Sequence, residues 1–263
     1  KENPDIIPPD FFYCVIIFGI LPVIFYYLVA FLMPTEPHFK IESNIFQNLK
    51  TILNNKNYIL ATLMIGIASL AWTQVGSLIL PFTEVVLVFE QTYYIIAAVV
   101  FVLGILFFLY IWRRMIRKSG KKRSMLYIFL SSIIFLPFTL LGLIPMESTF
   151  IYGILFILGI AGSLAGWFLL PPVFISDITE DDEKTTGELK AGIYTGFYCI
   201  PLNIFQALGL FIMGITIGFS PDITIGTSTF SLGYVLWGPI CSLILICAYL
   251  FAKKYVQLDF DWE

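Results

Sequence analysis

Two sets of polar residues in this 263-residue chain stand where chemistry could be done. The first is sparse, uncharged and set in long apolar runs: Trp72, Thr73 and Gln74, then Trp167, then Thr195, Tyr198, Asn203 and Gln206. Amide and hydroxyl groups donate and accept hydrogen bonds without carrying charge, so they suit a hydroxyl-rich solute, or else bond one helix to another inside a membrane. Asn203 and Gln206 are three apart and share a helical face with Thr195 and Cys199, a stripe able to line a water-filled cavity. The second set is acidic. Asp177, Glu180, Asp181, Asp182, Glu183 and Glu188 fall within twelve residues, and carboxylates so crowded gain from opposite charge nearby. The wholly basic charges of IWRRMIRKSGKKR, ending at Arg123, are one source of it. Nothing brings a nucleophile, a base and an orienting group into recognisable spacing, which argues against an enzyme. His38 is the single histidine, and Cys14, Cys199, Cys241 and Cys247 lack paired metal-ligand spacing, so they read as small buried hydrophobes.

The elements that must carry these residues are membrane spans. Hydrophobic residues make up 59% of the chain, aromatics 17%, and the mean hydropathy is +0.89, far from soluble composition. Charge-free runs extend over Phe11–Met33, Asn57–Thr83, Gln91–Trp112, Ser124–Met146, Ser148–Ser176, Ala191–Pro221 and Ile223–Ala252. As helices rising about 1.5 Å per residue, even the shortest crosses a hydrocarbon core of about 30 Å. The expected fold is therefore an all-α membrane protein of seven transmembrane helices. No Asp, Glu, Lys, Arg or His lies in any run, so the usual mark of a mid-membrane ion path is missing from them. With the Lys1 end outside, every Lys and Arg except Lys1 falls on the cytoplasmic side, which predicts a multi-pass cell-membrane protein with Glu263 in the cytoplasm. The net charge of −3 is divided between membrane sides and gives no support to nucleic-acid binding. The lipid bilayer is the first expected partner.

The longest polar connection, residues 34–56, holds the amphipathic segment IESNIFQNLKTILNNK and is expected to lie along the inner membrane surface. It separates one span from six. Gly159, Gly162 and Gly166, and Gly192, Gly196, Gly209, Gly214 and Gly218, are small residues expected where helices approach closely, several of them four apart. Pro171, Pro172 and Pro201 mark possible hinges.

The string SDITEDDEKTTGELKAGIYTGFYCIPLNIFQALGLFIMG resembles the glycoside-pentoside-hexuronide:cation symporters, the melibiose-permease-like branch of the major facilitator superfamily. Asp177, Asp181, Thr186, Gly187, Gly192, Tyr194, Gly196 and Ala207-Leu208-Gly209 occupy positions of that family's pattern, and Ser119-Gly120-Lys121-Lys122-Arg123 is similar to the superfamily's loop between its eighth and ninth helices. The sequence departs from the pattern at Asn203, where the family commonly has a Lys, and at Glu188, where a basic residue is usual.

The resemblance implies helix six plus the C-terminal six-helix bundle of a major facilitator fold. Residues 1–33 would be an outer loop and the last helix of a truncated N-terminal half. Residues 34–56 would be the cytoplasmic linker, 57–252 the C-terminal transporter half and 253–263 a cytoplasmic tail. It implies a symporter working by alternating access on a small polar solute such as a sugar or glycoside. The coupling ion, Na+ or H+, would bind mainly in the missing N-terminal half, the second expected partner, and no other cofactor is implied. Gln74, Trp72, Trp167, Asn203 and Gln206 would bind the solute, and Asp177, Asp181, Asp182 and Glu183 would gate it by pairing with the other half. A lipid or lysolipid carrier of the same branch is an alternative. A seven-helix receptor is a remote one, since a retinal protein would need a Lys that Ile223–Ala252 lacks.

Overall fold

The computed structural model describes residues 9–32, 45–145, 149–187, 190–226 and 228–257. The expected outer loop 1–8, the linker up to 44 with His38, Glu188 and the end of the tail lie outside the described residues. In chain order the helices are α1 (Pro9–Leu32), α2 (Ile45–Asn54), α3 (Lys56–Pro81), α4 (Gln91–Ser119), α5 (Lys121–Phe135), α6 (Phe150–Thr186), α7 (Ala191–Gly218) and α8 (Gly233–Tyr255). Seven spans are long and apolar enough to cross a membrane: every helix but the short α2, with α5 reaching that length together with the 3-10 segment that continues it to Leu143. The all-helical membrane class read from the charge-free runs is the observed one.

The chain divides into two compact units, Lys1–Asn44 and Ile45–Glu263. In the first, every described side chain of α1 is exposed and apolar residues surround the axis, as befits a helix facing hydrocarbon. The second is organised around α3, which packs on α8, α7 and α6. α3 and α8 run antiparallel: Asn57 and the backbone of Gln257 exchange two hydrogen bonds at one end, and the Cys241 thiol reaches the Ala71 carbonyl further along at 3.6 Å. α3 and α7 run parallel, close enough that a Cβ at Gly209 would stand 2.6 Å from the Leu70 carbonyl oxygen. α4 lies along α6, where the Trp112 indole donates to the Gly162 carbonyl at 2.7 Å. α5 bridges α6 and α8, with Ser242 and Thr139 donating across the α8 contact to Ile133 and Val235 carbonyls. Rings of Phe82, Phe156 and Trp237 fill the core near the end of α3.

Two punctuation points follow from backbone chemistry. Gly120 turns α4 into α5 at φ +83°, a region that disfavours any Cβ, and Arg117 and Lys118 in the last turn of α4 complement its dipole. Gly187 closes α6 in the left-handed conformation, its N–H donating to the Glu183 carbonyl at 2.7 Å.

Several expectations are corrected. Ile223–Ala252 is not one continuous span: β1 (Asp222–Ile225) and β2 (Ser228–Ser231) pair antiparallel as a hairpin, and the helix begins at Gly233. Alternating Ile and Thr around Gly226, at φ +61°, favour a strand turn over a helix there. The run from Ser124 ends in a 3-10 segment, Leu136–Leu143, with Pro137 at its start removing a donor. The acidic string from Asp177 to Glu183 continues the helix of the run Ser148–Ser176. It forms the last turns of α6, a helix of 37 residues and therefore roughly 55 Å, longer than the ~30 Å hydrocarbon core. Of the glycines, Gly159, Gly162, Gly166 and Gly209 sit at helix contacts, whereas Gly192, Gly196, Gly214 and Gly218 meet nothing within 4 Å.

Candidate functional site

The end of the second unit that carries the basic residues brings together the start of α3, the end of α6 and the start of α7. Asn55 caps α3, its side-chain oxygen accepting from the Tyr58 N–H at 3.0 Å, while its amide nitrogen donates to the Tyr194 hydroxyl at 3.2 Å. The Tyr58 hydroxyl donates to the Tyr194 carbonyl at 2.7 Å, and the two rings meet edge to face at 4.8 Å. The first turns of α3 and α7 are thus clasped by two hydrogen bonds and an aromatic pair. Asp182 faces the same Tyr194 and stands 3.9 Å from the ammonium of Lys190, just before α7.

The acidic residues separate into two roles. Asp177 is nearly buried and pairs with Lys121 of α5 at 2.7 Å, so one carboxylate expected to reach another half is held inside this one. Asp182 is likewise turned to Lys190, with both side chains about nine-tenths buried. Asp181 is half-buried beside them. Glu183 and Glu180 instead open into a cleft of about 640 Å³ between α6 and α7; Glu180 also pairs with Lys184 at 2.8 Å. The remaining polar lining is Ser176 and Thr179 from α6, and Thr195, Tyr198 and Cys199 from α7.

The α7 stripe read from spacing is therefore a physical surface in part. Thr195 and Cys199 line the cleft, and Asn203, one further turn along, is exposed; Gln206 is half-buried. Asn203 lies twelve residues into α7, about 18 Å from its start and so at mid-membrane depth. An amide exposed at that depth is costly against lipid tails and is satisfied by water, solute or a neighbouring helix. Trp72 and Trp167 come together as a stacked pair, centroids 5.9 Å apart and 19° between planes. Gln74 does not join the open surface. It is fully buried, its nitrogen donating to the Leu70 carbonyl at 3.1 Å and its oxygen without a hydrogen-bond partner among the described residues.

Sequence reasoning missed Asn55 and Tyr58, and gave Tyr194 only as part of a motif. Asn55 had a signal: an Asn directly before a long apolar run is a helix cap. Tyr58 had none, because its role depends on which helix lies beside it.

Membrane-crossing helices packed around α3, with a polar stripe entering a cleft between two of them, define a multi-pass helical membrane protein built for passage. The chain belongs to the MFS/sugar transport protein family, a family of membrane transporters within the major facilitator superfamily, whose model matches residues 7–253. Among curated proteins none matched significantly.

Proposed function

We propose that Ile45–Glu263 supplies one half of the central cavity of a secondary active transporter that carries a small polar solute, a sugar or glycoside, by alternating access coupled to Na+ or H+. The observation that carries this reading is the run Thr195, Cys199 and Asn203 on an exposed face of an otherwise apolar α7, continuous with the cleft between α6 and α7. A second half packed against that face would close a cavity whose walls offer uncharged donors and acceptors to hydroxyl groups. Half-buried Trp167, held flat against the buried ring of Trp72, would give the sugar ring an apolar wall, while buried Gln74 would act behind the wall and not on the solute.

In this reading the basic end faces the cytoplasm, in keeping with the placement of Lys and Arg. The clasp of Asn55 and Tyr58 on Tyr194 keeps α3 and α7 moving together. Asp177 and Asp182 brace α6 against α5 and α7, leaving Glu180 and Glu183 at the cleft mouth to meet the opposing half.

The test is uptake of labelled sugars by the full-length transporter in cells and in proteoliposomes. Asn203→Leu, which keeps the branched shape of the side chain and removes both hydrogen-bonding groups, lowers uptake steeply. Unaltered uptake removes Asn203 from the solute path, and uptake of labelled lysolipid in place of sugar overturns the substrate class.

A further inference from the structure

A second cavity lies away from the cleft, on the other side of α6. α4 and α5 leave the Gly120 turn on either side of α6, and between them is a crevice of about 490 Å³. Its walls include Phe108 and Trp112 of α4, Phe135 at the end of α5 and Phe138 of the 3-10 segment that follows, and Gly159 and Gly162 of α6 form its floor. The polar groups in its lining are already used within the protein: the Trp112 indole N–H bonds to the Gly162 carbonyl at 2.7 Å, and the hydroxyls of Ser131 and Ser163 stand 3.2 Å apart and bond to each other, Ser131 also lying 2.8 Å from the Ile128 carbonyl. The crevice therefore recognises nothing polar. In a chain whose helices cross a bilayer, the matter available to fill an apolar crevice is hydrocarbon.

Basic residues stand on the same two helices, between the crevice lining and the Gly120 turn. Arg113 directly follows Trp112, Arg117 is one turn further on, and Arg123 opens α5; all three are exposed. Among the described residues no carboxylate pairs with them, whereas neighbouring Lys121 is held by Asp177. On α5, Arg123, Tyr127, Ser131 and Phe135 follow at four-residue steps, so one side of the helix passes from guanidinium to crevice wall. A second copy of the chain is a poor occupant, because a symmetric contact here would set one arginine cluster against another. A lipid carrying its own negative charge meets both halves of the surface.

We propose that this surface binds one anionic glycerophospholipid, with an acyl chain in the crevice between α4 and α5 and its phosphate on Arg113, Arg117 and Arg123. Guanidinium forks match phosphate oxygens in pairs, and each basic residue near an anionic lipid surface strengthens attachment roughly fivefold. The site holds the α4–α5 wedge at a fixed opening over α6, and it is independent of the solute pathway.

The experiment uses the purified full chain, stripped of lipid and returned to vesicles of phosphatidylcholine containing either brominated phosphatidylglycerol or brominated phosphatidylcholine. Tryptophan quenching by the brominated anionic lipid exceeds that by the zwitterionic one, and Trp112→Phe removes the excess. Replacing Arg113, Arg117 and Arg123 together with Gln weakens preferential binding at least tenfold, while the triple Lys variant keeps most of it. Native mass spectrometry shows one retained phosphatidylglycerol, not displaced by millimolar inorganic phosphate. Equal quenching by both lipids, a Gln variant that binds as well as the parent, displacement by free phosphate, or protection of Trp112 through self-association each overturns the proposal. Because the three arginines are exposed, loss of fold is not the expected result of either triple variant, and melting curves check this.

Discussion

Gly209 of α7 carries the tightest constraint on the helix that bears the polar stripe. A Cβ there would stand 2.6 Å from the carbonyl oxygen of Leu70 and 3.1 Å from its Cα, both backbone atoms of α3. Ordinary van der Waals contact begins near 3.4 Å, so Gly209→Ala forces α3 and α7 apart locally by about 0.8 Å. No side chain can rotate away to relieve this. The cost is that of overpacking, roughly 1–3 kcal/mol. It is partly offset by the better helix propensity of Ala, worth about 0.5–1 kcal/mol. Gly196 and Gly214 lie in the same helix with nothing within 4 Å, so Ala there keeps only the propensity gain. Thermal unfolding of the purified protein, followed by circular dichroism, should show Gly209→Ala melting several degrees below the parent and Gly196→Ala at or above it. Equal melting of the two variants would refute the argument that α3 and α7 are in backbone contact at this level.

Three further outcomes follow from the same geometry. Lys121→Ala removes the ammonium 2.7 Å from the nearly buried Asp177 and should destabilise by about 1–3 kcal/mol, less than for a fully buried pair, with the Lys121→Ala/Asp177→Ala double variant recovering part of it; strictly additive losses in a double-mutant cycle would deny the coupling. Asn55→Ala loses both a helix cap and the bond to Tyr194, so its cost, about 1–2 kcal/mol, should exceed that of Tyr194→Phe by thermal denaturation. Cys199, exposed beside the cleft, should react with a small hydrophilic maleimide while Cys241 stays unlabelled in the folded protein, and peptide mapping of the adducts decides this.

Of the candidate site, the α7 stripe was legible because Thr195, Cys199, Asn203 and Gln206 repeat at helical spacing, and spacing alone says which residues share a face. The same rule could not tell Gln74 from Asn203. Both are amides in apolar spans, yet the first is buried among helices and the second is exposed. Spacing likewise could not say that Gly209 touches α3 while Gly196 touches nothing, although both sit in the same glycine-rich helix.

Sequence by itself determined the number of membrane-crossing helices, because partition into hydrocarbon depends on the composition of a local run and on little beyond it. Tertiary structure decided which neighbour each helix has: that Asp177 answers Lys121, that Tyr194 is clasped by Asn55 and Tyr58, and that α4 and α5 part over α6. The reason is the solvent. In water an apolar stripe points a helix at its core, but lipid tails are as apolar as a protein interior, so both faces of a span read alike until packing and hydrogen bonds choose between them.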